Sequence, residues 1–200
     1  MRFLDLSKPV WQAIGKMGSI MLLSFLWLFV SLPIVTIGAA TAALNSKTAD
    51  VMNGFDKELI KGFFQVFCSC FVKTTMLWLG ALIIFVIGLL DLKFLSLQEG
   101  GLASASNLLL FIGLFFVLSV LEGSFIKTEY RKENAVEYVK RIAFFSLRKF
   151  PKIMLLFAIQ MIVITFVLTD ALILFPFFPG ICSYFTCFIF KNDFRRGEVS

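Results

Sequence analysis

Cutting the chain at every Asp, Glu, Lys and Arg leaves five long runs without charge, at 17–46, 74–90, 100–121, 153–169 and 171–190. A helix rises about 1.5 Å per residue, so about 20 apolar residues cross a hydrocarbon core about 30 Å thick. The pattern predicts an all-α fold: a polytopic transmembrane helical bundle of about five spans, at about 17–44, 74–91, 104–126, 152–169 and 171–190. All of it reads as one integral membrane domain over 1–200. Between the runs the apolar positions recur at steps of three and four. Leu59, Ile60, Phe63, Phe64, Phe67 and Phe71 lie opposite Lys57, Glu58, Lys61 and Gln65. Ala135, Val136, Tyr138, Val139, Ile142 and Phe145 lie opposite Glu133, Glu137, Lys140, Arg141 and Arg148. These two patterns predict interfacial amphipathic helices on the cytoplasmic side, at about 48–72 and 131–149, the first turning into the membrane at Lys73.

Composition strengthens the membrane reading. The chain is 59% hydrophobic and 16% charged, with a mean hydropathy of +0.91. A soluble domain carries about 25% charged residues, so a water-soluble globule is excluded. Charge then orients the spans, because Lys and Arg collect in short cytoplasmic loops. Five spans with the N-terminus outside place fifteen cations inside and four outside. Arg2, Lys8 and Lys16 oppose that arrangement, since they too belong inside. If they are cytoplasmic, the first run must dip into the membrane and return, which Pro33 and the small residues after it permit. The third connection carries eight cations against Glu129, Glu133 and Glu137, most of the chain's formal +6. Its expected partner is the lipid bilayer, with anionic lipid at the cytoplasmic face. Nucleic acid is not expected, since no base-stacking or groove-reading motif accompanies the charge. The step Ala40-Thr41-Ala42 loosely imitates a signal-cleavage site, but the apolar stretch before it is too long for a secretory leader, and an uncleaved anchor is expected.

Within the first run the bulky stretch Met17–Val30 gives way to Gly38, Ala39, Ala42 and Ala43. Small residues four apart let helices approach closely inside a membrane. This helix-packing seam suits either the protein's own helices, the preferred reading, or a second copy in a homo-oligomer. Pro33 predicts a kink, since it lacks an N–H and clashes with the carbonyl of Phe29.

Three blocks carry a resemblance. Ser31-Leu32-Pro33-Ile34-Val35-Thr36-Ile37-Gly38-Ala39-Ala40-Thr41-Ala42-Ala43-Leu44 is the most specific. Phe63-Phe64 through Phe71-Val72-Lys73-Thr74-Thr75-Met76-Leu77-Trp78-Leu79 and the step Leu174-Phe175-Pro176 accompany it. Over about 5–195 the chain resembles the YesL-like family, small bacterial integral membrane proteins built around a domain of unknown function. The resemblance implies a multi-pass protein of the bacterial plasma membrane with about five spans, associated with carbohydrate-uptake systems. It supplies no catalytic residue.

Chemistry is bounded by what the sequence lacks. There is no histidine, which removes His-based triads and His-ligated metal. G-x-x-x-x-G-K-[ST], G-x-G-x-x-G and G-x-S-x-G are all missing. No enzyme activity, cofactor or metal is expected. Cys68, Cys70, Cys182 and Cys187 do not follow the paired C-x-x-C spacing of zinc sites. Ionisable groups inside the membrane are the better candidates, because they are costly there. Lys73 and Glu122 fall near one interface and are expected to pair, either as a structural tie or in binding or proton relay. Asp170 reads as an outer turn residue, or as intramembrane if the chain reverses at Pro176 and Pro179. Two functions remain: a non-enzymatic accessory or regulatory component of a transporter, bound to its subunits, or a small transporter or channel in its own right.

Overall fold

A computed structural model describes residues 9–55, 58–95, 101–126, 135–169 and 172–191. Among these the chain forms α1 (Pro9–Val30), α2 (Ile37–Asn53), α3 (Leu59–Leu95), α4 (Gly101–Ile126), α5 (Ala135–Arg148), α6 (Phe150–Thr169) and α7 (Phe178–Ile189), with 3-10 turns at Ile34–Thr36 and Leu172–Phe177. Three stretches are long and apolar enough to cross a membrane: Leu59–Asp91, Leu108–Ile126 and Phe150–Thr169. Ile14–Val30 and Phe175–Ile189 are shorter apolar helices.

The first apolar run is not a single span over 17–44. Pro33 stops α1, and the chain doubles back, so that α2 lies antiparallel along it. The Trp27 indole donates to the Thr41 hydroxyl at 3.0 Å, and Lys16 Nζ donates to the Met52 carbonyl at 3.1 Å near the other end. A turn in apolar surroundings must find donors for its freed carbonyls. Here the Thr36 hydroxyl donates to the Val30 carbonyl at 2.5 Å, and the Trp78 indole donates to the Ile34 carbonyl at 2.9 Å. Thr41, the middle residue of the cleavage-like step, therefore sits within a packed helix.

The second difference concerns 48–72, which does not form a separate interfacial helix. Residues up to Asn53 belong to α2, which ends at Gly54 with φ +89°, a left-handed conformation that suits glycine at a helix end. From Leu59 the helix runs unbroken through Lys73 to Leu95. The phenylalanine stripe is helical, but part of it packs on protein while Ile60 and Phe64 stay exposed. Phe63 is fully buried with Leu23, Ala43, Leu44, Val51 and Val66, and Phe67 packs at the edge of that cluster. Tertiary burial won over the interface because α1 and α2 already present a matching apolar surface. The 131–149 segment appears as α5, whose last turn reaches Arg148; residues 131–134 lie outside the described set.

Helix α2 is the centre of the molecule. It packs against α1, α3, α4 and α7, although it is the most polar of the inner helices by sequence. Its small residues explain this position, since only a thin helix fits among four others. The contacts also fix chain direction. Gly38 faces Thr74 and Trp78 while Gly62 faces Lys47, so α3 runs antiparallel to α2. Gly88 meets Leu114, where α4 returns along α3. Lys152 Nζ donates to the Ile189 carbonyl at 3.3 Å, and Ile153 and Leu156 share a cluster with Phe190, so α7 returns along α6. The last span is likewise shorter than 171–190. Pro176 lies in the 3-10 turn and Pro179 in the first turn of α7, where a missing N–H costs nothing.

Candidate functional site

The seam residues are the best resolved of the sequence candidates. Gly38, Ala39, Ala42 and Ala43 are all buried, as is Ala40 between them. A Cβ added at Gly38 would lie 2.8 Å from Trp78 Cβ and 3.0 Å from the Thr74 carbonyl oxygen. That is backbone-to-backbone approach of the kind small residues permit in membranes. The seam packs against the protein's own helices, Gly38 and Ala42 against α3 and α4 and Ala43 against α1 and α3. A second close crossing joins α1 to α7, where Gly180 rests against Ser24 and Ile20 and the Phe25 and Phe177 rings meet edge to face at 5.4 Å.

Lys73 and Glu122 have different described partners. Lys73 Nζ lies 5.7 Å from the centre of the Tyr138 ring, and Arg141 Cζ lies 5.5 Å from the same ring. Tyr138 is buried, and a ring face shared by two cations ties α3 to α5. Glu122 on α4 accepts a hydrogen bond from Gln160 Nε2 on α6 at 3.2 Å. Two helices, α4 and α6, thus bring polar groups to one point. Asp170 lies outside the described residues.

The four cysteines are free thiols. Cys187 donates to the Asn45 carbonyl at 3.3 Å, pinning α7 to α2, and Cys70 donates to the Phe67 carbonyl at 3.7 Å. Cys68 is exposed. No group of three or more potential metal ligands gathers among the described residues.

Sequence reasoning missed Gln160, whose signal was present: it is the one amide in the run 153–169, and a lone amide in hydrocarbon needs a partner. It also missed the Lys47–Asp50 ion pair, 2.7 Å long and half sheltered on the central helix. Such an i, i+3 pair is legible in principle; its burial against Gly62 is not. Ser146, which donates to the Ser119 carbonyl at 3.0 Å and docks α5 on α4, had no signal beyond a small polar residue in an apolar stripe.

Residues 20–92, which run from within α1 into the far part of α3, match the family model described as "Protein of unknown function, DUF624". The segment that carries the hairpin and the seam is thus similar to an uncharacterised family. No curated protein and no solved structure matches the chain.

Proposed function

We propose that this chain is a multi-pass protein of the bacterial plasma membrane that performs no covalent chemistry and acts as an accessory or regulatory component of a transporter. The observation that carries the reading is the filled centre. Where a small transporter needs a polar pathway, this bundle holds α2, with Gly38, Ala39, Ala40, Ala42 and Ala43 packed against their neighbours. A sugar's hydroxyls each need a hydrogen-bond partner, and between Gly38 and Ala43 the one polar side chain, Thr41, is already engaged by Trp27 and the Ile37 carbonyl. The class of transporter, carbohydrate uptake, rests on the resemblance to the YesL-like family.

The topology that best fits this reading differs from five spans. Because α1 and α2 fold back together, Lys16, Lys47, Lys61, Lys140, Arg148, Lys152 and Lys191 belong to helix ends directed one way, and Lys93 to an end directed the other. Under the positive-inside rule the basic end is cytoplasmic and both ends of the described chain lie there. The first-run alternative, dipping in and returning, then satisfies the N-terminal cations that a five-span arrangement strands outside.

Cross-linking in intact membranes, followed by mild solubilisation, tests the accessory role. Linked peptides between this chain and the membrane subunits of an uptake system are expected. Recovery of the chain alone across several mild detergents, together with substrate flux by the purified protein in vesicles, would replace it with the transporter reading.

A further inference from the structure

The geometry points to α5 as a docking surface for an anionic lipid leaflet, lying flat in the headgroup layer rather than capping the bundle in water. This rests on the membrane reading above. The argument begins with the helix's turn angle. At about 100° per residue, Tyr138, Ile142 and Ser146 fall on one side, and all three are buried against the bundle. Ser146 is held by the Ser119 carbonyl, and Gly123 leaves the space that Ser146 and Ile142 occupy.

The apolar arc does not stop there. Val139, Val136 and Leu147 continue it round the helix, and they are 40%, 65% and 58% exposed. The protein's own core uses only part of the hydrophobic face, and the remainder is aimed sideways. Lys140 borders this unpartnered arc, the 69% exposed Phe144 extends it beyond Lys140, and Glu137 and Arg148 follow farther round; all are exposed. An apolar strip with cations along its border matches acyl chains beneath phosphate headgroups. The occupant is a leaflet rather than a partner protein because α5 leads directly into α6, a helix long and apolar enough to cross a membrane, on which Met154, Leu155, Met161 and Ile162 are exposed. The charge sign selects acidic headgroups, each cation near the surface contributing about 1 kcal/mol.

The test uses the full chain in vesicles of phosphatidylcholine with or without phosphatidylglycerol. Nitroxide labels are placed singly at Ala143→Cys, on the free arc, and at Ile162→Cys on α6, each in a Cys68→Ser background. The expected result is a label at 143 relaxed by oxygen and shielded from a water-soluble nickel reagent, as at 162. In native mass spectra, Lys140→Gln/Arg148→Gln should lose retained phosphatidylglycerol by about thirtyfold, two cations at about 1 kcal/mol each, with phosphatidylcholine unchanged. A label at 143 open to nickel while 162 is shielded overturns the docking surface and leaves the membrane reading standing. Both labels open to nickel would remove the membrane reading itself. A label at 143 shielded from both reagents means a protein covers α5, which also overturns the proposal, as does unchanged lipid retention in wild-type background variants that fold.

Discussion

At the scale of single residues, Gly38 and Gly180 are two of the glycines that have no room for a methyl group. Gly38→Ala places a Cβ against Trp78 Cβ and the Thr74 carbonyl, and neither can swing away, since one is the root of its side chain and the other is backbone. The expected cost is about 1 to 3 kcal/mol of overpacking. Gly113→Ala meets nothing within 4 Å and should be neutral or gain up to about 1 kcal/mol from helix propensity. Thermal unfolding of the two variants in one detergent checks the pair, and equal midpoints would contradict the packing. At Gly180 the obstacle is the Ser24 hydroxyl. Gly180→Ala should therefore destabilise, and Ser24→Ala should recover part of the loss, which a double-mutant cycle reads as coupling of about 0.5 kcal/mol or more. The polar contact follows a different rule. Interhelical hydrogen bonds inside membranes are worth about 0.6 kcal/mol on average, so Gln160→Leu should lose about that much. Glu122→Gln, which keeps an amide able to pair with Gln160, should lose less than Glu122→Leu.

At the scale of elements, what the sequence displayed was local and what it concealed was pairing. The periodicity of Leu59 to Phe71 marked a helix without revealing that Phe63 would face Leu23 and Val51 rather than lipid. Pro33 marked a break without saying whether α2 would continue outward or fold back; that choice belongs to Trp27 with Thr41 and Lys16 with Met52, pairs 14 and 36 residues apart. Lys73 looked like a boundary because a cation is costly in hydrocarbon. The Tyr138 ring offers it a partner, so the helix has no need to turn there. Continuity of α3 is measurable. Spin labels at Phe64 and Ile84, both exposed, should be about 30 Å apart along a straight helix of 1.5 Å rise. A right-angle turn at Lys73 would bring them to about 21 Å by the same rise. The seam was legible as a close-packing stripe, because small residues four apart let helices approach, but its neighbours were not: Gly38 and Ala42 lie against α3 and α4, and Ala43 against α1 and α3.

At the scale of the whole molecule, the hairpin of α1 and α2 decides which side each connection faces. An N-terminal helix that crosses once puts Lys16 opposite Lys191. A helix that goes in and returns puts them on the same side, and the remaining alternation of α3, α4, α6 and α7 keeps Lys61 and Lys152 there too. Charge alone does not choose, since both arrangements leave the excess of cations inside; the hydrogen bonds between α1 and α2 favour the second arrangement, which is the one proposed above. Cysteines introduced singly at Lys16, Lys61, Lys93 and Lys191 read out the result in intact cells with a membrane-impermeant maleimide. Labelling is expected at 93 and not at 16, 61 or 191 until the cells are opened. Labelling at both 16 and 93, with 61 and 191 protected, would mean that the N-terminal helix crosses once. In that case the antiparallel contacts of Trp27 with Thr41 and of Lys16 with Met52 could not hold in the membrane, because they require both helices to share a side at each end.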